Sequence, residues 1–277
     1  MKKGWKIFWG ICVSLIAIGV ICCIVGVALG GSLFGNISKD WSTNQKIFEE
    51  TKADSSETQG EEQQTFYRIK ELEVAISDVN VQIDEYDGRY LAVETFDIPQ
   101  AVLDEISYTT DESTLKIELK DSKKMKRLLS GNTKAMIRIK VPYHSLQEAE
   151  VSVGAGSLYI SQLQAKELQV EIGAGQAKVN QFTADCAEFH CGAGEMQMTG
   201  DAQKVNIECG IGSIIYQAKG AQEDYDYQIG SSLGEVTVGD RSFDGIGSGA
   251  TISKDGAEKE LYVNCGIGQV QVEFQNK

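Results

Sequence analysis

One phrase recurs through the second half of this chain: apolar residues in alternation, two glycines one residue apart, then apolar alternation again. It is spelled Val151-Ser-Val-Gly-Ala-Gly156, Val170-Glu-Ile-Gly-Ala-Gly175, Phe189-His-Cys-Gly-Ala-Gly194 and Ile207-Glu-Cys-Gly-Ile-Gly212. A fifth copy reads as stretched by two residues, Tyr227-Gln-Ile-Gly-Ser-Ser-Leu-Gly234, and a sixth closes the sequence as Val263-Asn-Cys-Gly-Ile-Gly268. First glycines at 154, 173, 192, 210 and 230 give a period of 18 to 20 residues. A unit that short cannot bury an apolar face alone, so a fixed period of this length points to stacked repeats.

Within one repeat the pattern is that of a half-buried strand. Positions −5, −3 and −1 before the first glycine are apolar (Leu168, Val170 and Ile172; Val205, Ile207 and Cys209), and the residues between them are mostly polar. The alternation resumes after the second glycine, as in Met196/Met198 and Val270/Val272. The glycine pairs Gly154/Gly156, Gly173/Gly175, Gly192/Gly194, Gly210/Gly212 and Gly266/Gly268 are therefore structural turn positions, where a Cβ is excluded by positive φ or close backbone approach. The expected fold is an all-β, parallel β-solenoid over residues 149–277. Its coils have two strands plus bends, or a third short side near Leu163 and Phe182.

The N-terminal half reads differently. Ile7 to Leu29 is 23 residues without a charge, preceded by Lys2, Lys3 and Lys6. As a helix it would span about 35 Å, against a hydrocarbon core of about 30 Å. A cleaved signal peptide would have a shorter apolar stretch of about 7–15 residues, which favours an uncleaved transmembrane anchor over cleavage at Ala28-Leu29-Gly30. The flanking lysines place the N-terminus in the cytoplasm and the remainder outside the cell membrane. Residues 31–65 are charged and aperiodic around Glu49–Gln64, and read as a disordered polar tether. Residues 66–148 hold strand-like runs (72–76, 79–83, 90–95, 115–119, 136–141) without a clean repeat, as expected of N-terminal coils and a cap that protects a sheet edge. Asp240 to Glu260 reads as a loop inserted before a terminal coil.

The anchor, the tether, Ile139-Lys-Val-Pro142 and the closing Val263-Asn-Cys-Gly-Ile-Gly-Gln-Val-Gln-Val-Glu-Phe274 together resemble the DUF4097 family over about residues 66–277. The resemblance implies a parallel β-solenoid at the bacterial cell envelope, in a family often labelled as adhesins. Some relatives sit beside envelope-stress regulatory systems, and the family brings no catalytic residues to carry over.

The residues themselves argue against most chemistry. A net charge of −14 excludes a general nucleic-acid binder. The glycine pairs recur six times before strands, unlike a dinucleotide fingerprint, and Ser157, Gln176, Glu195, Ser213 and Glu235 stand where calcium-binding repeats carry aspartate. Cys191, Cys209 and Cys265 share an apolar column and read as small hydrophobes, with a Cys191–Cys209 disulfide left open. Alternation places His190 and Cys191 on opposite faces, which argues against zinc; no cofactor is expected. Cys12, Cys22 and Cys23 lie in the apolar N-terminal segment, and the basic cluster Lys123–Arg127 reads as a solvated hairpin tip between strands ending at Leu119 and starting near Ala135, with contact to anionic lipid or wall polymer as the alternative.

One outward column deserves a functional reading: Glu171, His190 and Glu208 stack on successive rungs as a candidate binding ridge. The glutamates would lie roughly 9.6 Å apart, a separation that an inverting glycosidase could use. Outward strand positions of an acidic chain collect glutamates in any case, so a non-enzymatic binding face is the preferred reading. The expected function is surface binding, in adhesion or envelope interaction, with cell-wall polymer, a surface protein or a membrane regulatory protein as partner. The alternative is an accessory sensor of an envelope-stress system.

Overall fold

The computed structural model describes residues 62–120, 128–129, 134–243, 247, 249–253 and 256–275. The chain divides into two compact units, 1–46 and 47–277, and every described residue belongs to the second. The anchor segment, the tether to residue 61, the cysteines at 12, 22 and 23, and the basic cluster at 123–127 lie outside the described residues. Among the described residues no helix is long and apolar enough to cross a membrane.

The fold is all-β, with its strands joined in one sheet that coils on itself. Strand β8 (Glu148–Gln164) pairs in parallel with the start of β9 (Glu167–Lys219) at an offset of one repeat, Val151 opposite Val170 and Gly156 opposite Gly175. Strand β9 continues through three rungs without a break in assignment. Pairing lapses after Ile160↔Val179 and resumes at Leu163↔Phe182, so these rungs have two main walls and a short third segment. Inward side chains of both walls merge into one core running the length of the stack. Within it Phe182 lies 5.1 Å from Phe189 and 5.9 Å from Tyr216, ring centre to centre. A Cβ on Gly200 would collide with the Phe182 ring, so the small residue there makes room for the large one.

The glycine columns have a direct cause. The position a Cβ would take on Gly173 is 2.5 Å from the carbonyl oxygen of Gly154, one rung below. The same relation holds from Gly192 to Gly173, Gly210 to Gly192 and Gly266 to Gly210, and more tightly along the second column. Rungs stack at about 4.8 Å, and at the corner each backbone carbonyl occupies the place of its neighbour's missing side chain.

The order of rungs in space departs from the order in sequence at both ends. Strand β14 (Lys259–Gln275) pairs in parallel with the last rung of β9 on one side, Cys265 opposite Cys209 and Gly268 opposite Gly212. On its other side it pairs in parallel with β10 (Tyr225–Ser231) and β11 (Glu235–Val238). The closing segment is thus inserted between the fourth and fifth copies, and is not the end of the stack. The expected loop 240–260 contains two antiparallel edge strands, β12 (Arg241–Phe243) on β11 and β13 (Gly249–Ile252) on β10. The N-terminal end repeats the device. Strands β2 (Glu71–Ile76) and β3 (Asn80–Tyr86) lie between β8 and a rung made of β6 (Thr114–Leu119) and β7 (Met136–Pro142). That outer rung is closed by β5 (Ser107–Asp111), β4 (Leu91–Phe96) and β1 (Glu62–Phe66), all antiparallel, with helix α1 (Gln100–Leu103) burying Val102 between β4 and β5. Antiparallel edges shield the parallel stack from end-to-end association.

The register also corrects the fifth copy. Ser231 stands opposite Cys265 and Glu235 opposite Gln269, a constant offset, so nothing is inserted. Ser232 takes the first glycine position and Gly234 the second. Hence Ser231 belongs to the cysteine column, and Gly230 ends the outward column.

Candidate binding face

The outer surface of the first wall carries the predicted ridge. By register its column runs Ser152, Glu171, His190, Glu208, Asn264 and Gly230. Stacking brings these side chains together in pairs. Ser152 Oγ donates to Glu171 Oε2 at 3.5 Å, while His190 Nδ1 lies 3.2 Å from Glu208 Oε2 and Nε2 lies 3.7 Å from Glu188 Oε2. His190 is thus held between Glu208 of its own column and Glu188 of the adjacent one. Cys191 points inward, as alternation requires.

Next to this ridge the wall is strongly acidic. Glu71, Glu148 and Glu167 stand opposite one another on three consecutive rungs, and Glu73 and Glu150 pair beside them. A shallow groove of about 120 Å³ runs between Glu148, Glu150, Glu167, Gln169 and Glu188. Partial burial, then the charges of Glu167 and Glu71, push the Glu148 carboxyl above its ordinary range. The ionised form is therefore disfavoured in the fold, and stability rises as pH falls from neutral through the folded pKa toward the unfolded value of about 4.3. Glu148→Gln should raise the melting temperature at pH 7 in low salt and lose that advantage near pH 4 or in ~0.5 M salt. A lower melting temperature at pH 7 would show that the carboxylate stabilises the ladder.

The interior cysteines are chemically quiet. All four described cysteines are free thiols. Burial, then the Glu195 charge, pushes Cys191 up to about 11. The register places Cys265 directly across from Cys209. The neighbouring Cys265 thiol, then burial, pushes the Cys209 thiol above its ordinary range. Both thiols are buried in the core, out of reach of reactants in solution.

A feature that the sequence reading passed over lies at the corner itself. The residue between the two glycines points outward. It is alanine in three rungs (Ala155, Ala174 and Ala193) but Ile211, Ile267 and Leu233 in the next three. Those side chains are 58%, 49% and 61% exposed and adjacent along the stack. Scattered exposed aliphatics need no explanation, whereas these three in a row form a continuous apolar edge along one corner of the stack. The switch from Gly-Ala-Gly to Gly-Ile-Gly was the legible signal.

The Toastrack DUF4097 family model matches residues 69–246. This chain belongs to the DUF4097 family. Among solved structures it is similar to a protein of Clostridium sporogenes provisionally named for cell adhesion, at 13% identity and a TM-score of 0.46, over 79% of this chain and 100% of that one. It is also similar to a provisionally named lipid-binding protein of Parabacteroides distasonis (15%, TM-score 0.35, over 78% and 94%). A third is a provisionally named adhesin of Bacteroides fragilis (15%, TM-score 0.31, over 77% and 98%). No curated protein matches the chain.

Proposed function

We propose that this DUF4097 member is a non-enzymatic surface-binding protein. The 7–29 segment holds it in the cell membrane with the solenoid outside, and it contacts its partner through the aliphatic corner and the acidic wall beside it. The observation that carries this reading is the Ile211/Ile267/Leu233 row. Large apolar side chains are kept in water at positions where the same fold accommodates alanine. The partner class is an envelope or foreign surface component that offers an apolar edge and positive charge, matching the corner and its flank. The Glu171–His190–Glu208 column contributes as part of that flank and is assigned no catalytic role.

The test is cross-linking on intact cells with the full-length chain, comparing wild type with Ile211→Ala/Leu233→Ala/Ile267→Ala. Alanine is native at the equivalent corner positions, so the variant should melt within ~2 °C of wild type, as surface changes do. Recovery of the cross-linked partner should fall at least ~10-fold, the effect of losing a central apolar contact. Unchanged recovery from a folded variant would sink the corner as the contact. Recovery that depends only on the 7–29 segment would favour the accessory-sensor reading.

A further inference from the structure

Tyrosines gather at one end of the second wall, on its outer face. The strand order β1–β4–β7–β3 sets their positions, with Phe66 opposite Leu91, Ala92 opposite Lys140 and Tyr86 opposite Pro142. Tyr67, which follows β1, Tyr90, which precedes β4, Pro142 and Tyr86 therefore form one row across four strand ends. Leu91 and Val141 lie in the core and Phe66 packs against it, so alternation turns the row outward. The rings of Tyr67 and Tyr90 are 5.6 Å apart, centre to centre, and those of Tyr90 and Tyr86 are 6.4 Å apart. The turn between β3 and β4 is shaped to hold them. The Tyr86 hydroxyl donates to the Tyr90 carbonyl oxygen at 2.5 Å, and the Tyr86 ring fills the place a Cβ on Gly88 would take. Tyr143, the next residue after β7, donates its backbone N–H to the Tyr86 carbonyl oxygen at 3.2 Å. Tyr67 and Tyr143 are 65% and 47% exposed. Two exposed rings beside two partly buried ones make an aromatic surface, unlike the single apolar side chains scattered over an ordinary exterior.

We infer that this row is a stacking platform for an uncharged, extended glycan of the equatorially linked, β-1,4 kind. It is a second binding surface and does not rest on the aliphatic corner. A pyranose of that kind has an apolar face of C–H groups and a rim of hydroxyls, and its polymer is a flat ribbon. The tyrosines offer ring faces to the first, and their hydroxyls, with Arg68, Asp87 and Arg89 exposed beside them, offer hydrogen bonds to the second. Charge favours a neutral ligand. The stretches that build the platform, 67–68, 84–94 and 138–144, hold four basic and four acidic residues, so this rim is neutral within a chain of net charge −14. Ring contact decides against other ligands of tyrosine clusters. Rings packed on one another leave no slot for a prolyl ring, and no open cage for a quaternary ammonium group. Four strand ends at about 4.8 Å spacing make a platform about 14 Å across, room for a few sugar units laid across the strands.

The test is isothermal titration of the full-length chain with the hexamer of β-1,4-linked N-acetylglucosamine, in micelles of a zwitterionic detergent that has no sugar headgroup. Wild type should bind saturably, and Tyr67→Ala/Tyr143→Ala should weaken binding at least ~10-fold. Both rings are exposed, so this variant should melt within ~2 °C of wild type; if it unfolds, the single variants decide. Tyr67→Phe/Tyr143→Phe keeps the stacking faces and should keep most of the affinity. Ile211→Ala/Leu233→Ala/Ile267→Ala should bind the hexamer as wild type does, so the fate of the platform is read separately from that of the corner. No binding by wild type, or equal affinity in the folded alanine variant, would overturn the inference. Maltohexaose, whose axial linkages coil the chain, should bind more weakly, and equal affinity for it would also count against the platform. Binding of decaproline in place of the hexamer would overturn the glycan and assign the row to a proline-rich peptide.

Discussion

Gly212→Ala should lower the melting temperature by about 10–15 °C, corresponding to ~3–5 kcal/mol in a fold of this size. The methyl group would overlap the carbonyl oxygen of Gly194 on the rung below. It would also sit on a backbone with φ of +149°, which side chains with a Cβ rarely adopt. Neither neighbour can give, because both are backbone and both are repeated along the column. Gly154→Ala is the control. Its Cβ would meet only Ser77 Oγ, at 3.1 Å, and serine already stands at the equivalent corner of two rungs, Ser77 and Ser232. A change within ~1 kcal/mol is expected there. Thermal unfolding followed by circular dichroism reads both variants. Equal losses would mean that chain entropy, and not rung-to-rung carbonyl contact, selects glycine.

Truncation after Glu258 should abolish the native fold of residues 225–252 and the cooperative melt with it. The deleted strand contributes Leu261, Val263, Cys265, Val270 and Val272, all fully buried or nearly so. At about 1.5–3 kcal/mol per side chain the lost burial is roughly 8–15 kcal/mol gross, as large as the net stability of a typical domain, about 5–15 kcal/mol. Lys259 also closes the seam, with Nζ 2.5 Å from Asp201 and 5.2 Å above the Tyr225 ring. Were β14 the last rung, its loss would shorten the stack and leave the other rungs standing. As an inserted rung, its loss strips both neighbours at once. A truncated chain that melts within a few degrees of wild type, with 225–252 still resistant to protease, would contradict the insertion.

Sequence alone determined the repeat, the inward and outward faces, and the reason for glycine at each corner. These are local properties: alternation fixes the face, and the period fixes how often the chain turns. It also separated the β-rich 66–148 stretch from the repeats, because Leu72–Ile76 and Val79–Ile83 alternate without the glycine pair between them. The outward column of Glu171, His190 and Glu208 followed from the same counting. Tertiary structure decided which rung stacks on which. Nothing local in Val263–Phe274 distinguishes an end rung from an inserted one, since either placement buries the same side chains and makes the same backbone bonds. The choice lies in the path of residues 220–258 and in pairings between residues far apart in sequence, such as Cys209 with Cys265. The same non-local pairing moved Ser232 into a glycine position, aligned Ile211, Ile267 and Leu233 into one exposed edge, and buried Arg138 on a face that alternation assigns to water. A period can be read along the chain, but adjacency across rungs exists only once the rungs are stacked.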